Sequence, residues 1–195
     1  MNKGQQRKSE IQHALKNLIH EKGYASVTMK DIGTRLGLSV GGLYYHYHSV
    51  EEIFHDLMEH ETQNVFDIFD DIEGFDDLMA CLDRYFAGEK REFLSDVESI
   101  NGVLYEYYFS FPEAERKQRM QESHQSAVCT MSGILSTVYT DHERIRRLAE
   151  HNFLTLHGLN MVSMCGGIEE SLIDYEFNQI KEQLVYEYKA ERKTK

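Results

Sequence analysis

The stretch TMKDIGTRLGLSVGGLYYHYHSVEEIF, residues 28–54, decides the fold of this chain. Thr28 is a good N-cap for a short helix, and Asp31 stands three residues later, as in a capping box. Gly37-Leu38-Ser39 then interrupts the helical spacing, and residues 41–47 have the pattern of a second short helix. Two short helices joined by a turn with glycine cross steeply, so the second can enter a DNA major groove. The stretch therefore predicts a helix-turn-helix.

Apolar residues recur at helical spacing on both sides of this stretch, and strand alternation is almost absent. A first helix is predicted from Arg7 to about Lys22, with Gly23 as its stop. Further helices are predicted at 49–72, 75–86, 100–111, 112–138, 141–164 and 169–188. The fold class is therefore all-α with about nine helices. We expect an N-terminal three-helix helix-turn-helix head at residues 1–50 and a larger helical ligand-binding and dimerisation body at residues 51–195.

Composition narrows the class of protein. The chain has 195 residues, 41% of them hydrophobic and only one of them proline, as expected for a helical globular protein. No apolar run approaches the roughly 18 residues of a membrane span, and the polar start is not a secretory signal. The three cysteines are too few and too far apart for a disulfide framework or a zinc ribbon. We therefore expect a cytoplasmic protein without membrane contact.

The charge is distributed unevenly along the chain. The net charge is −12, yet residues 1–50 contain seven Lys or Arg against three Asp or Glu, a local charge of +4 that leaves −16 for the remainder. Phosphate binding needs local rather than global positive charge. A basic head on an acidic body is thus compatible with DNA binding.

Within about the first 55 residues the chain resembles the TetR (tetracycline-repressor) family of bacterial transcription regulators. The resemblance is carried by Gly23-Tyr24, Thr28, Ile32, Leu36-Gly37, Ser39, Gly41, Leu43-Tyr44, His46-Tyr47 and Ser49 followed by Glu51-Glu52. It implies a dimeric, all-helical repressor that a small-molecule ligand releases from a palindromic operator. We expect double-stranded DNA, a small molecule and a second copy of the chain as partners, and no cofactor.

Two positions depart from the family pattern. Gly33 stands where the family usually has alanine, which weakens the helix by up to about 1 kcal/mol. Val50 stands where the family commonly has a phosphate-binding lysine, so that contact is in doubt. His48 is a weak substitute, because histidine is largely neutral at pH 7.

The resemblance also implies roles in DNA binding. Val40, Gly41, Tyr45 and His46 are expected to face bases, and Gly42 to permit close backbone approach. Thr28, Ser39, Tyr44, Arg7, Lys8 and His48 are expected near phosphates, whereas Lys30 could reach either a base or a phosphate. Leu43 and Tyr47 are expected to pack the head's core instead, and Tyr44 could join them.

A ligand pocket is predicted beside the helix at 100–111, because that helix is apolar nearly all round and rich in phenol groups. The expected ligand is mostly apolar or aromatic, and Glu106 could favour a cation, although a solvent-facing Glu106 is the simpler interpretation. The candidate ligand-binding residues are Tyr105, Tyr108, Phe109, His124 and Met131. His124 could equally be a satisfied core histidine.

A twofold dimer is predicted on the last two helices, because the apolar arc at 141–164 is too wide for a single core seam. Gly166-Gly167 would fold the last helix back, and two such hairpins would form a four-helix bundle. The candidate interface residues are Leu148, Leu156, Leu159, Phe177 and Leu184. The alternative is that the chain's own middle helices cover this arc.

Other functional classes have less support. His55 and Glu59 could pair on a metal, but no third ligand is placed, so a solvated helix face is the preferred interpretation and no metal is expected. No motif of a helical enzyme is present, so we expect no catalysis and no catalytic residue. The remaining alternative is a helical protein-interaction adaptor without DNA binding, which would not explain the basic head.

Overall fold

The computed structural model describes residues 3–95 and 100–193. In these ranges the chain forms nine α-helices, a short 3-10 turn at Tyr24–Ser26 and no strand. The helices are α1 Lys3–Lys22, α2 Met29–Leu36, α3 Val40–Tyr44, α4 Val50–Ile68, α5 Phe75–Phe93, α6 Ile100–Phe109, α7 Glu113–Leu135, α8 His142–Met164 and α9 Glu170–Lys193. The predicted all-α fold with an N-terminal helix-turn-helix is confirmed.

The chain divides into two compact units. The head unit comprises Met1–Val65 and Glu98–Arg116, and the body unit comprises Phe66–Val97 and Lys117–Lys195. The head unit thus includes α6 and most of α4, whereas the sequence suggested a boundary at residue 50. The functional division into 1–50 and 51–195 stays a prediction.

The head unit has its own apolar core. The α1 helix buries one face, and α2, α3 and α4 each contribute to the same interior. The fully buried side chains include Ile11, Leu15, Ile19, Ile32, Leu43, Tyr47, Ile53 and Phe54. Leu43 and Tyr47 therefore pack inside, as predicted, while Tyr44 stays outside.

The predicted stop signals act as expected at two glycines. Gly23 and Gly37 have φ of +76° and +64°, the left-handed region that glycine enters without a Cβ penalty. The N-H of Gly37 closes α2 by donating to the carbonyls of Gly33 and Thr34. Both signals were readable because left-handed helix ends strongly favour glycine.

Several predicted helix ends were too long. The third helix ends at Tyr44, because the N-H groups of His46 and Tyr47 both donate to the Leu43 carbonyl in a tight turn. The fourth helix ends at Ile68, and Asp71 has a left-handed φ of +62°. The sixth helix ends at Phe109, which is 60% exposed although the helix was expected to be buried on most sides.

The body unit is built around α5, α8 and α9, which pack against one another. Stacked Phe86 and Phe177 rings, 4.2 Å apart, join α5 to α9 in the core. Glu191 near the end of α9 accepts hydrogen bonds from the backbone of Thr140 and Asp141 at the start of α8. In the described ranges, no helix is long and apolar enough to cross a membrane.

Candidate nucleic-acid interface

The turn between α2 and α3 is held by a close approach of backbone to backbone. The N-H of Leu38 donates to the Gly33 carbonyl at 2.8 Å. A Cβ at Gly33 would lie only 3.0 Å from the Leu38 carbonyl oxygen. The glycine at this position therefore costs some helix propensity but keeps the turn tight.

The two helices of the motif begin with side-chain caps. Thr28 and Asp31 form a reciprocal capping box on α2, in which the Thr28 hydroxyl also donates to Asp31 at 2.5 Å. Hydrogen bonds from Lys22 and Thr28 hold the pKa of the Asp31 carboxyl well below its usual range. The Ser39 hydroxyl caps α3 by accepting from the N-H of Gly42 at 3.1 Å. The capping box predicted from the sequence is confirmed.

The α3 helix exposes the side that was expected to meet DNA. Leu43 points into the core, whereas Val40, Gly41, Gly42 and Tyr44 are exposed. Tyr45 is 86% exposed, with its ring edge-on to His46 at 5.1 Å. A short helix with small residues at its start and two exposed phenols can enter a groove and reach phosphates.

A partly buried polar network links α4 and the turn after α3 to α1. The Tyr47 hydroxyl donates to Asp56, to which Gln12 and Lys8 also donate at 3.1 and 3.2 Å. Burial alone would raise the pKa of Asp56, but these hydrogen bonds outweigh it and lower the pKa. Burial, with the Asp56 carboxylate beside it, raises the pKa of the Tyr47 hydroxyl. Sequence reasoning missed Gln12 and Asp56, although Asp56 lies beside the buried Leu57 in the apolar pattern of α4.

The cationic side chains around the motif differ in whether they already form an ion pair within the chain. Arg7 pairs with Glu10 at 2.6 Å, and Lys8 lies over the Tyr47 ring as well as beside Asp56. Lys30 is exposed and makes no ion pair within the described part of the chain. His48 is exposed, and its backbone N-H donates to Glu52 at 2.6 Å. All twelve predicted DNA-binding residues therefore lie in the head unit, and Lys30 is the cation most available to phosphate.

The structure divides the predicted ligand-binding residues between the two units. Tyr105 and Tyr108 are buried in the head unit, where the exposed Phe109 also lies. In the body unit, His124 is 3.0 Å from Glu150, and Met131 packs against the core. The five residues therefore do not form a single group within either unit.

The α6 helix is bound to the head by aromatic contacts. The ring of Tyr107 stacks on Phe54 at 4.1 Å, and Tyr24 meets it edge-on at 4.9 Å. The Tyr107 hydroxyl also donates to Glu51 at 3.2 Å. Tyr107 was not among the predicted site residues, although it belongs to the aromatic run that singled out this helix.

The body unit has an open groove of about 410 Å³ between α5 and α9, lined by residues that include Met79, Asp83, Lys181 and Tyr186. None of the predicted ligand-binding residues lines this groove. Within the described ranges, no three His, Cys, Asp or Glu side chains are grouped so as to hold a metal ion.

The predicted dimer residues lie in the interior of the body unit. Leu148, Leu156, Leu159, Phe177 and Leu184 are all at most 7% exposed and belong to the body's own core, so they have little surface to offer a second chain. The helices nevertheless expose other large apolar side chains. These are Leu154, Met161, Val162 and Met164 on α8, and Leu172, Tyr175 and Tyr186 on α9.

Part of the sequence is similar to known bacterial regulators. Residues 11–57 match the sequence profile described as "Bacterial regulatory proteins, tetR family". YfiR of Bacillus subtilis, an uncharacterised HTH-type transcriptional regulator, is 29% identical over 131 residues, which cover 66% of this chain and 63% of YfiR. IcaR of Staphylococcus epidermidis, the HTH-type negative transcriptional regulator of the biofilm operon icaADBC, is 34% identical over 110 residues, covering 54% and 56%. The match thus spans less than two thirds of each relative.

Solved structures share the fold over almost the whole chain. A transcriptional regulator of Aquifex aeolicus has a TM-score of 0.65 at 20% identity, covering 92% of this chain and 98% of its own. NalD of Pseudomonas aeruginosa, the secondary repressor of the MexAB-OprM multidrug efflux pump, has a TM-score of 0.64 at 16% identity, covering 93% and 96%. At these identities the likeness concerns the fold.

Proposed function

We propose that this chain, whose residues 11–57 match the tetR-family profile, is a DNA-binding transcriptional repressor whose affinity for its operator responds to a small molecule. The observation that carries this proposal is the exposed face of α3 in a head whose caps and core fix its position. The adaptor alternative gains no specific observation. A regulator of transcription acts where the bacterial DNA is, so we place it in the cytoplasm.

The proposed interface has base-facing and phosphate-facing parts. Val40, Gly41, Tyr45 and His46 face bases, and Gly42 lets the backbone come close. Tyr44 and Lys30 bind phosphates on the flanks, with Arg7, Lys8, Thr28, Ser39 and His48 as further candidates. The Thr28 and Ser39 hydroxyls already cap α2 and α3. They therefore also contribute by orienting the N-termini of these helices, whose free backbone N-H groups bind phosphate.

The operator is proposed to be palindromic and bound by a dimer. One head has few free cations, so a single copy would neutralise too few phosphates for tight binding. The exposed apolar side chains of α8 and α9 are the surface that a second copy would cover. A twofold dimer then presents two α3 helices to major grooves about 34–36 Å apart.

Ligand response is proposed as a population shift. A ligand that binds one conformation of the dimer better moves the equilibrium by that difference in affinity. The head can follow such a shift because α6 is packed on Tyr24 and Phe54 within the head unit, while α4 and α7 each continue into the body unit.

Selection of random DNA fragments by the purified protein, followed by sequencing, tests the proposal. We expect an enriched palindrome with half-sites one helical turn apart. Affinity for that duplex should then fall steeply as salt rises, because phosphate contacts release counterions. A protein that enriches no sequence and whose DNA affinity does not depend on salt would leave only the adaptor alternative.

A further inference from the structure

Most of the cationic side chains of the head already have an acidic partner. Of the seven Lys and Arg among residues 1–50, four form an ion pair with a carboxylate of the head unit. The pairs are Arg7–Glu10 at 2.6 Å, Lys8–Asp56 at 3.2 Å, Lys22–Asp31 at 2.7 Å and Arg35–Glu21 at 2.5 Å. The local charge of the sequence therefore overstates how many cations the head offers to DNA phosphates.

The Lys8 pair belongs to a wider arrangement. The Lys8 ammonium, the Gln12 amide and the Tyr47 hydroxyl all donate to the same atom, Oδ2 of Asp56, the first two at 3.2 and 3.1 Å. Gln12 is 9% exposed and Tyr47 is 1% exposed. Because two buried donors hold the carboxylate, the position of Asp56 does not depend on Lys8.

Lys8 has less freedom than an ordinary surface lysine. Its ammonium also lies over the Tyr47 ring, 4.9 Å from the ring centre, where cation-π attraction adds to the ion pair. Although burial acts to raise it, the pKa of Asp56 is lowered by the hydrogen bonds from Tyr47 and Lys8, so the carboxylate is ionised at pH 7. If Lys8 left for a phosphate, this partly buried charge would lose its cation.

The pair nevertheless lies beside the surface that is proposed to meet DNA. Tyr47, whose ring Lys8 covers, comes two residues after Tyr45, which is 86% exposed. The Lys8 and Asp56 side chains are themselves 45% and 33% exposed. The Asp56 carboxylate and a phosphate at the edge of this surface are therefore alternative partners for Lys8.

We propose that Asp56 takes the place of a DNA phosphate as the partner of Lys8, both in the free head and on DNA, and so lowers the affinity of the head for DNA of any sequence. The inference rests on the proposed function, because it concerns how that interface binds phosphate, and it removes Lys8 from the phosphate-binding candidates. Lys8 then adds nothing to sequence-independent binding. A larger share of the binding free energy is left to the base-facing residues of α3.

The salt dependence of DNA binding measures whether Lys8 contacts phosphate, because each such contact contributes about −0.9 to the slope of log affinity against log salt. The probe is a fluorescein-labelled duplex of about 30 base pairs without a palindrome, titrated at pH 7 from about 50 to 200 mM KCl. Asp56→Asn frees Lys8, so the slope should become steeper by about one for each head bound, and affinity at about 0.1 M KCl should rise at least about fivefold. Unchanged or weaker binding by the Asp56→Asn protein would overturn the proposal.

Glu59→Gln is the matched control for charge. It removes the same charge from an exposed position of the same helix and leaves the Lys8 pair intact. Because salt screens distant charges, it should keep the slope and raise affinity by less than about twofold. If Glu59→Gln had the same effect as Asp56→Asn, the gain would reflect net charge alone and the proposal would fail.

Lys8→Gln tests the pair from its other side. In the unmodified protein it should leave the slope nearly unchanged, whereas in the Asp56→Asn protein it should return the slope to the unmodified value. The single variant keeps Asp56 and its bonds from Tyr47 and Gln12, so it decides the question even if Asp56→Asn does not fold, which circular dichroism checks. A slope reduced by about one in the Lys8→Gln protein would show that Lys8 binds phosphate in spite of Asp56, and would overturn the proposal.

The same salt series separates this inference from the proposed function. If the unmodified protein bound no DNA, both would fail. If it bound the duplex with a steep salt dependence but every variant shared its slope, the DNA-binding function would stand and the role of Asp56 would be refuted.

Discussion

At the scale of single residues, Tyr44 and His46 separate positioning on DNA from reading of its sequence. Tyr44 is exposed and assigned to phosphate, so Tyr44→Phe should weaken binding to every operator variant by a similar factor. His46→Ala should instead change the preference among bases at one position by about 1–3 kcal/mol. Binding of each protein variant to a panel of single-base operator changes measures both effects. A His46 variant with an unchanged ranking of bases would contradict its assignment.

Asp56 is the residue on which the head's polar network converges. Its pKa is lowered in the folded head, so its stabilising contribution is present above the ordinary aspartate pKa of about 3.9 and is lost as pH falls through the lowered value. Asp56→Asn should therefore reduce the free energy of unfolding at pH 7 by about 1–3 kcal/mol. The difference from the unmodified protein should shrink in acid.

Urea unfolding between pH 3 and pH 7 measures this difference. Glu59→Gln provides the control, because Glu59 is an exposed carboxylate of the same helix. It should leave the free energy of unfolding nearly unchanged throughout. An Asp56→Asn effect that is independent of pH would show that ionisation of Asp56 does not stabilise the head.

At the scale of elements, two glycines of the helix-turn-helix should respond oppositely to alanine. Gly37 has φ of +64°, so Gly37→Ala should destabilise the head by about 1–2 kcal/mol. A Cβ at Gly41 meets nothing within 4 Å, so Gly41→Ala should stabilise α3 by up to about 1 kcal/mol. The same methyl should nevertheless weaken operator binding, because it stands where the backbone is proposed to approach the bases.

Urea midpoints and operator affinities of the two glycine variants form a matched pair. Gly37→Ala should lose affinity only in proportion to the folded fraction. If Gly41→Ala kept full operator affinity, the α3 start would not lie against the bases.

At the scale of the whole molecule, substitutions on the exposed side and on the buried side of α8 should affect the dimer differently. Leu154 is 62% exposed, so Leu154→Glu should leave helicity intact and shift the protein from dimer toward the 22.8 kDa monomer. Leu94→Glu, at another exposed leucine, should not change the assembly. Leu156 is in the core, so Leu156→Glu should unfold the body by burying a charge.

Sedimentation and circular dichroism at micromolar concentration distinguish these outcomes. A monomeric mass for the unmodified protein would refute the dimer and, with it, the palindromic operator. If the Leu154→Glu protein stays dimeric, the dimer interface lies on another surface.

Local interactions determined what could be read from the sequence. The capping box of Thr28, the helix breaks at Gly23 and Gly37 and the spacing of Leu43 and Tyr47 depend on interactions within a few residues, and each was predicted correctly. Helix ends were less predictable, because the N-H groups of His46 and Tyr47 share the Leu43 carbonyl and end α3 where the apolar spacing still continues to Tyr47.

Only the tertiary structure decided which apolar residues face the core and which remain at the surface. Leu156 and Leu154 have the same chemistry two residues apart, yet Leu156 is buried in the body's core and Leu154 is exposed. A wide apolar arc does not by itself say which part the chain covers, since that depends on helices distant in sequence. For the same reason, spacing could place Asn152 on a face of α8, but only packing showed that this face is turned into the core.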